Sequence, residues 1–130
     1  MAFRTTSGRL KGFTLIELVV VMAIIALLLT FALPRYFDGL ERARESVLRQ
    51  DLKTMRDAIE QFHADRGAYP NALEDLVTNR YLRSVPADPI TESPETWVVT
   101  PPTEPGQGSV YDIHSGAEGA ARDGTPFAEW

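Results

Sequence analysis

Cysteine is absent from the 130 residues, which excludes disulfides, thiolate metal sites and a cysteine nucleophile. Histidine occurs only as His63 and His114, so the sequence contains no HExxH site and no pair of metal-spaced histidines. A Gly-rich phosphate loop and an internal repeat are also missing. Basic residues nearly vanish toward the end. Residues 84–130 hold eight acids against Arg122 alone, a local charge of −7 in a chain of net −5. That acidic third argues against nucleic acid as a partner. Proline is scarce early, at Pro34 and Pro70, whereas seven of the nine prolines fall after residue 85. His114 follows Asp112 by two residues and precedes Ser115, but sequence neighbours rarely build a catalytic triad. An enzyme is not expected.

What the chain does have is one long apolar run. Residues 13–33 read FTLIELVVVMAIIALLLTFAL, with Glu17 the only charge and Thr14 and Thr30 the only other polar residues. As a helix, 21 residues span about 31 Å, enough to cross a bilayer core. Arg4, Arg9 and Lys11 precede the run without any acid, so residues 1–12 belong on the cytoplasmic side and the rest outside. A cleaved secretory signal has a shorter apolar core and a small-residue A-x-A site. Neither fits here, because the run leads into Pro34-Arg35-Tyr36 and a new helical pattern. Glu17 breaks the run, and an ionised carboxylate at membrane depth costs roughly 2.5–3.5 kcal/mol. Such a residue implies a partner or a function, unless it simply snorkels to the interface.

The order Lys11-Gly12-Phe13-Thr14-Leu15-Ile16-Glu17-Leu18 resembles the processing site of type IV pilins and type II secretion pseudopilins. The resemblance implies a short basic leader ending at Gly12, removed by a prepilin peptidase that then methylates the new amino terminus at Phe13. Glu17 becomes the fifth residue of the mature chain, and Pro34 falls where the family often carries a helix-perturbing proline. The chemistry agrees. Gly12 leaves the backbone open to a protease, and cleavage creates an amine that is largely protonated near neutrality. The Glu17 carboxylate of a neighbouring subunit can meet that amine in an apolar filament core and set the register. Pro34 removes the donor to the Thr30 carbonyl and loosens the helix there.

Beyond the run, Tyr36 to Ala64 continues as helix. Leu48, Leu52, Met55, Ile59 and Phe62 form an apolar stripe of period 3.5, widened by Phe37, Val47 and Ala58. The opposite face, with Arg42, Arg49, Lys53, Arg56 and Glu60 among others, reads as solvated. The stripe is too short for a coiled coil and is expected to pack on a small sheet. Gly67 ends the helix, and Tyr69-Pro70 makes a turn. Asn71 is expected to cap a short helix from Ala72 to about Asn79, with Glu74 as reciprocal partner. Strand candidates are Thr96–Thr100 and Ser109–His114, joined by a turn at Gly106-Gln107-Gly108.

Tyr69-Pro70, Tyr81-Leu82 and Pro86-Ala87-Asp88-Pro89 look like the major pseudopilin branch of the family, as does the closing segment from Tyr111 to Trp130. One departure is Ile90-Thr91-Glu92, where that branch usually has Trp-Gly and a Tyr. The missing cysteines weigh against the disulfide-looped pilins. The expected fold is α+β, a long N-terminal helix packed on a small antiparallel sheet with a short second helix and a C-terminal loop. Its segments are a leader (1–12), a transmembrane and filament-core helix (13–34), an amphipathic continuation (35–66) and a periplasmic head (67–130). The resemblance implies an inner-membrane precursor that polymerises with copies of itself. Prepilin peptidase, minor pseudopilins and an assembly platform would be its partners, and its product a pseudopilus that drives protein secretion. A type IV pilus subunit and a membrane-anchored binding module that never assembles are the alternatives. The resemblance also implies calcium in the last loop, held by Glu118 and Asp123 with carbonyl oxygens near Gly116. Composition by itself reads that loop as solvated and acidic.

Overall fold

The computed structural model describes residues 2–3 and 12–130, so the leader charges Arg4, Arg9 and Lys11 lie outside the described residues. The chain divides into two units, residues 1–39 and 40–130. A single helix, α1 (Leu15–Arg66), supplies most of the first unit and the spine of the second. Its start is fixed locally. The Thr14 hydroxyl accepts the Glu17 N–H at 3.2 Å and the Thr14 carbonyl accepts the Leu18 N–H at 3.1 Å, so Thr14 is the N-cap. At its end the Gly67 N–H bonds the His63 carbonyl, and Gly67 adopts a φ of +73°, a left-handed stop that suits glycine.

In the first unit every large apolar side chain from Phe13 to Leu33 is at least 44% exposed. Among the described residues nothing covers this surface, an exposed apolar area of the kind that suits a membrane or a packed neighbour. The helix runs on through Pro34, and Thr30 bonds its hydroxyl back to the Ala26 carbonyl at 2.9 Å.

The second unit has its own core. The predicted stripe of Leu48, Leu52, Met55, Ile59 and Phe62 is buried together with Ala58, whereas Val47 is exposed and does not widen it. Phe37, in the first unit, is exposed too. Leu73, Leu76, Trp97, Val110, Ile113 and Phe127 close the core over the stripe. The short helix α2 (Leu73–Thr78) is capped differently from expectation. Asp75, not Glu74, reaches back, its carboxylate accepting the Asn71 and Ala72 N–H groups at 3.0 and 3.2 Å. The side chain of Asn71 is not the cap.

Among the described residues the sheet has two antiparallel strands, β1 (Val98–Thr100) and β2 (Asp112–His114), in the register Val98–His114, Val99–Ile113, Thr100–Asp112. Both are shorter than predicted, and ahead of β2 the backbone N–H groups bond outside the ladder. Trp97 donates its indole N–H to the Pro86 carbonyl, and the N–H groups of Ser109 and Val110 both go to the Pro70 carbonyl. The connection passes Gly108 at a φ of +95°, and a Cβ there would fall on the Tyr69 carbonyl oxygen. Only glycine allows that approach.

Candidate functional site: the N-terminal motif and the C-terminal loop

Gly12 and Phe13 precede the first helical residue, so the bond between them is free of the helix ladder. Gly12 has open space on its Cβ side, and Phe13 is exposed. Glu17 lies in the first turn of α1, beside the helix N-terminus. There the unpaired N–H groups favour a negative charge. Thr14, read from the sequence only as a polar residue of the apolar run and not as a cap, is the residue that positions this turn. The pattern Thr14-x-x-Glu17 was the signal, since it is the spacing of a reciprocal helix cap.

The C-terminal loop is organised around two polar centres. Asp88 is fully buried. Its Oδ1 accepts the Ile90 N–H at 2.8 Å, and its Oδ2 takes a short hydrogen bond from the Ser115 hydroxyl. Ser115 Oγ in turn accepts the Ala117 N–H at 3.1 Å. Ser115 is thus committed to Asp88 and not to His114, which removes the triad arrangement that the sequence order faintly suggested. The second centre is Arg56. Its guanidinium donates to Asp112 Oδ1, to the Ile113 carbonyl and to the Trp130 backbone oxygen, each at 2.8 Å. His114 Nδ1 lies 2.7 Å from the same Trp130 oxygen, so the contact requires a proton on Nδ1. Arg49 stacks over the Trp130 ring at 4.5 Å. Partial burial works against the charge on Asp112, but the Ile113 N–H, Arg56 and His114 outweigh it and hold the carboxyl below its usual range. The sequence reading placed Arg56 on a solvated face and missed it.

Glu118, Asp123 and Gly116 do not form a cation cage with one another. A tight hairpin, closed by the Ala120–Pro126 bridge and by the Ala121 N–H to the Thr125 carbonyl, carries Asp123 at its tip. There its Oδ1 already accepts the Thr125 N–H at 2.9 Å, the largest reason its carboxyl titrates below the usual range. Glu118 stands exposed before the hairpin, and Gly116 is pressed on the Thr96 carbonyl, where a Cβ has no room. Among the described residues no three acidic or histidine side chains converge on one point. Two exposed carboxylates, one of them engaged in its own turn, fit poorly with the six to eight oxygens that calcium takes.

Residues 9–33 match the prokaryotic N-terminal methylation motif. The type II secretion system core protein G of Pseudomonas aeruginosa is 27% identical, over 92% of this chain and 94% of its own length. The core protein G of Vibrio cholerae is 26% identical over 92% and 90%. A fimbrial protein of Eikenella corrodens reaches 38% identity, over 58% of this chain and 52% of its own length. No solved structure gives a significant match. The motif, the bare apolar helix and the near full-length similarity agree in one direction: this chain is similar to type IV pilins and type II secretion pseudopilins.

Proposed function

We propose that this protein is the major structural subunit of a type II secretion pseudopilus. It is made as an inner-membrane precursor, cut after Gly12, methylated at Phe13 and polymerised through α1. The observation that supports this most is the similarity to core protein G over nine-tenths of both chains. The fimbrial relative covers only about half of its own length.

Each step has its group in the chain. The exposed Gly12–Phe13 bond is the substrate of the peptidase. The apolar half of α1, uncovered within the subunit, holds the precursor in the membrane and then packs on neighbouring subunits, burying the same surface in both states. Glu17 pays its desolvation penalty only if it finds a cation, and the methylated amine of a neighbouring Phe13 is that cation. Pro34 makes the local helix easier to unwind as subunits pack. The second unit stays outside the membrane as the head, and minor pseudopilins and the assembly platform are its further partners. The chain carries no catalytic machinery in this scheme, and its motion is driven from elsewhere.

Deletion of the gene in its native bacterium tests the reading. Export of folded proteins across the outer membrane is expected to stop while surface pili persist. Loss of pili with normal export assigns the chain to a pilus instead. Restoration of function by a variant that cannot be cut at Gly12 leaves only an anchored module.

A further inference from the structure

We propose that the Arg56 guanidinium is a built-in cation that closes the C-terminal loop, so that this head folds without the calcium that its family resemblance implies. The oxygen set around Arg56 is of the kind a hard cation gathers: one carboxylate, from Asp112, and two backbone oxygens, from Ile113 and Trp130. All three lie at 2.8 Å, in the range of strong charge-assisted bonds. A planar fork with five N–H donors can serve three acceptors at fixed angles, which an ammonium group on a flexible stem does less well.

The contacts also have the reach that a staple needs. Arg56 is on α1, while its acceptors are 56, 57 and 74 residues away in sequence. One side chain therefore ties the spine to β2 and to the last residue of the loop. Neighbouring groups reinforce the same point. His114 Nδ1 shares the Trp130 oxygen, Arg49 covers the Trp130 ring, and the buried Phe127 meets that ring edge-on at 5.4 Å. Between these anchors the Glu45 carboxylate holds the hairpin tip through the Arg122 N–H at 2.8 Å. The loop is thus fixed at its start by Asp88–Ser115, at its tip by Glu45 and at its end by Arg56. The acids that would serve calcium, Glu118 and Asp123, make none of these three contacts.

The proposal concerns how the head is held and is independent of whether the filament secretes proteins or forms a pilus. Thermal unfolding of the full chain in detergent micelles tests it, read in excess calcium chloride and in excess EGTA. The wild-type melting temperature is expected to be the same in both. Arg56→Gln is expected to lower it by about 5 °C or more, equally in both. Hydrogen exchange is expected to speed up first at the amides of residues 117–130 in that variant, ahead of the Leu48–Phe62 stripe. Should Arg56→Gln fail to fold, Asp112→Asn, which keeps an acceptor and loses the charge, is expected to show the same local loss to a smaller degree. A calcium-dependent rise in the wild-type melting temperature that Asp123→Ala abolishes overturns the proposal. So does an Arg56→Gln variant whose loop protection is unchanged.

Discussion

Glu17 is the only charge within the apolar half of α1, and it sits in the first turn where the helix dipole favours it. That placement lowers the cost of the charge but does not remove it in a dry filament core. Glu17→Leu is therefore expected to be inserted and cut normally, because the helix start rests on Thr14 and the scissile bond lies before it. Filaments recovered by shearing should nonetheless drop to a small fraction of the wild-type yield, as seen by electron microscopy. Normal yield from Glu17→Leu contradicts a register role. A second carboxylate bears on stability. Asp51 is partly buried and lies near the Asp88 charge, so desolvation first and repulsion second raise its pKa. With the folded pKa above the unfolded value, whatever stability protonated Asp51 gives is present below the unfolded pKa and lost as pH rises through the folded one. Asp51→Asn is expected to raise the melting temperature at pH 7, with the difference shrinking toward pH 3. Asp112 has the opposite sign. Its folded pKa is depressed, so its contribution is present above an unfolded value of about 3.9 and disappears as pH falls through the folded one. Acid unfolding of wild type is expected to begin below about pH 4 and to be blunted in Asp112→Asn.

At the scale of elements, α1 was legible because its signals are local and repeated. An apolar run of bilayer length, a stripe of period 3.5 and a terminal glycine each read directly from the sequence. The N-terminal motif was equally legible, because Gly12, Phe13 and Glu17 at fixed spacing before an apolar run leave little freedom. The strands were found in place but overextended, since Val110 is as β-prone as its neighbours and yet its N–H, like that of Ser109, bonds to Pro70. Nothing local announces that acceptor. The cap of α2 was missed by one residue for a related reason, as Glu74 and Asp75 stand side by side and only the turn geometry selects Asp75. Arg56 was hidden altogether. An arginine on the polar face of an amphipathic helix reads as solvated, and its acceptors lie more than fifty residues away. Packing of the stripe makes a sharp prediction at this scale. Met55→Ala is expected to cost about 2–5 kcal/mol of head stability by denaturant unfolding, whereas Val47→Ala, at an exposed position, costs under about 0.5 kcal/mol.

The whole molecule combines two units with different demands on their surroundings. Residues 40–130 bury their own core, and among the described residues no buried side-chain polar atom lacks a hydrogen-bond partner. The large apolar side chains of residues 13–33 stay exposed, a surface suited to lipid or to other subunits. Under the proposed function, removal of the leader controls when the chain leaves the membrane. Gly12→Val is expected to retain the precursor in the inner membrane as a slower-migrating band, since a branched side chain at the cut obstructs the peptidase. The most direct test of the account is the mass of the subunit in filaments sheared from a host that supplies prepilin peptidase and an assembly platform. The predicted result is a chain that begins at Phe13 with a single methyl on its amine. Filaments built of chains that still carry Met1, or no filaments from fully processed chains, would contradict it.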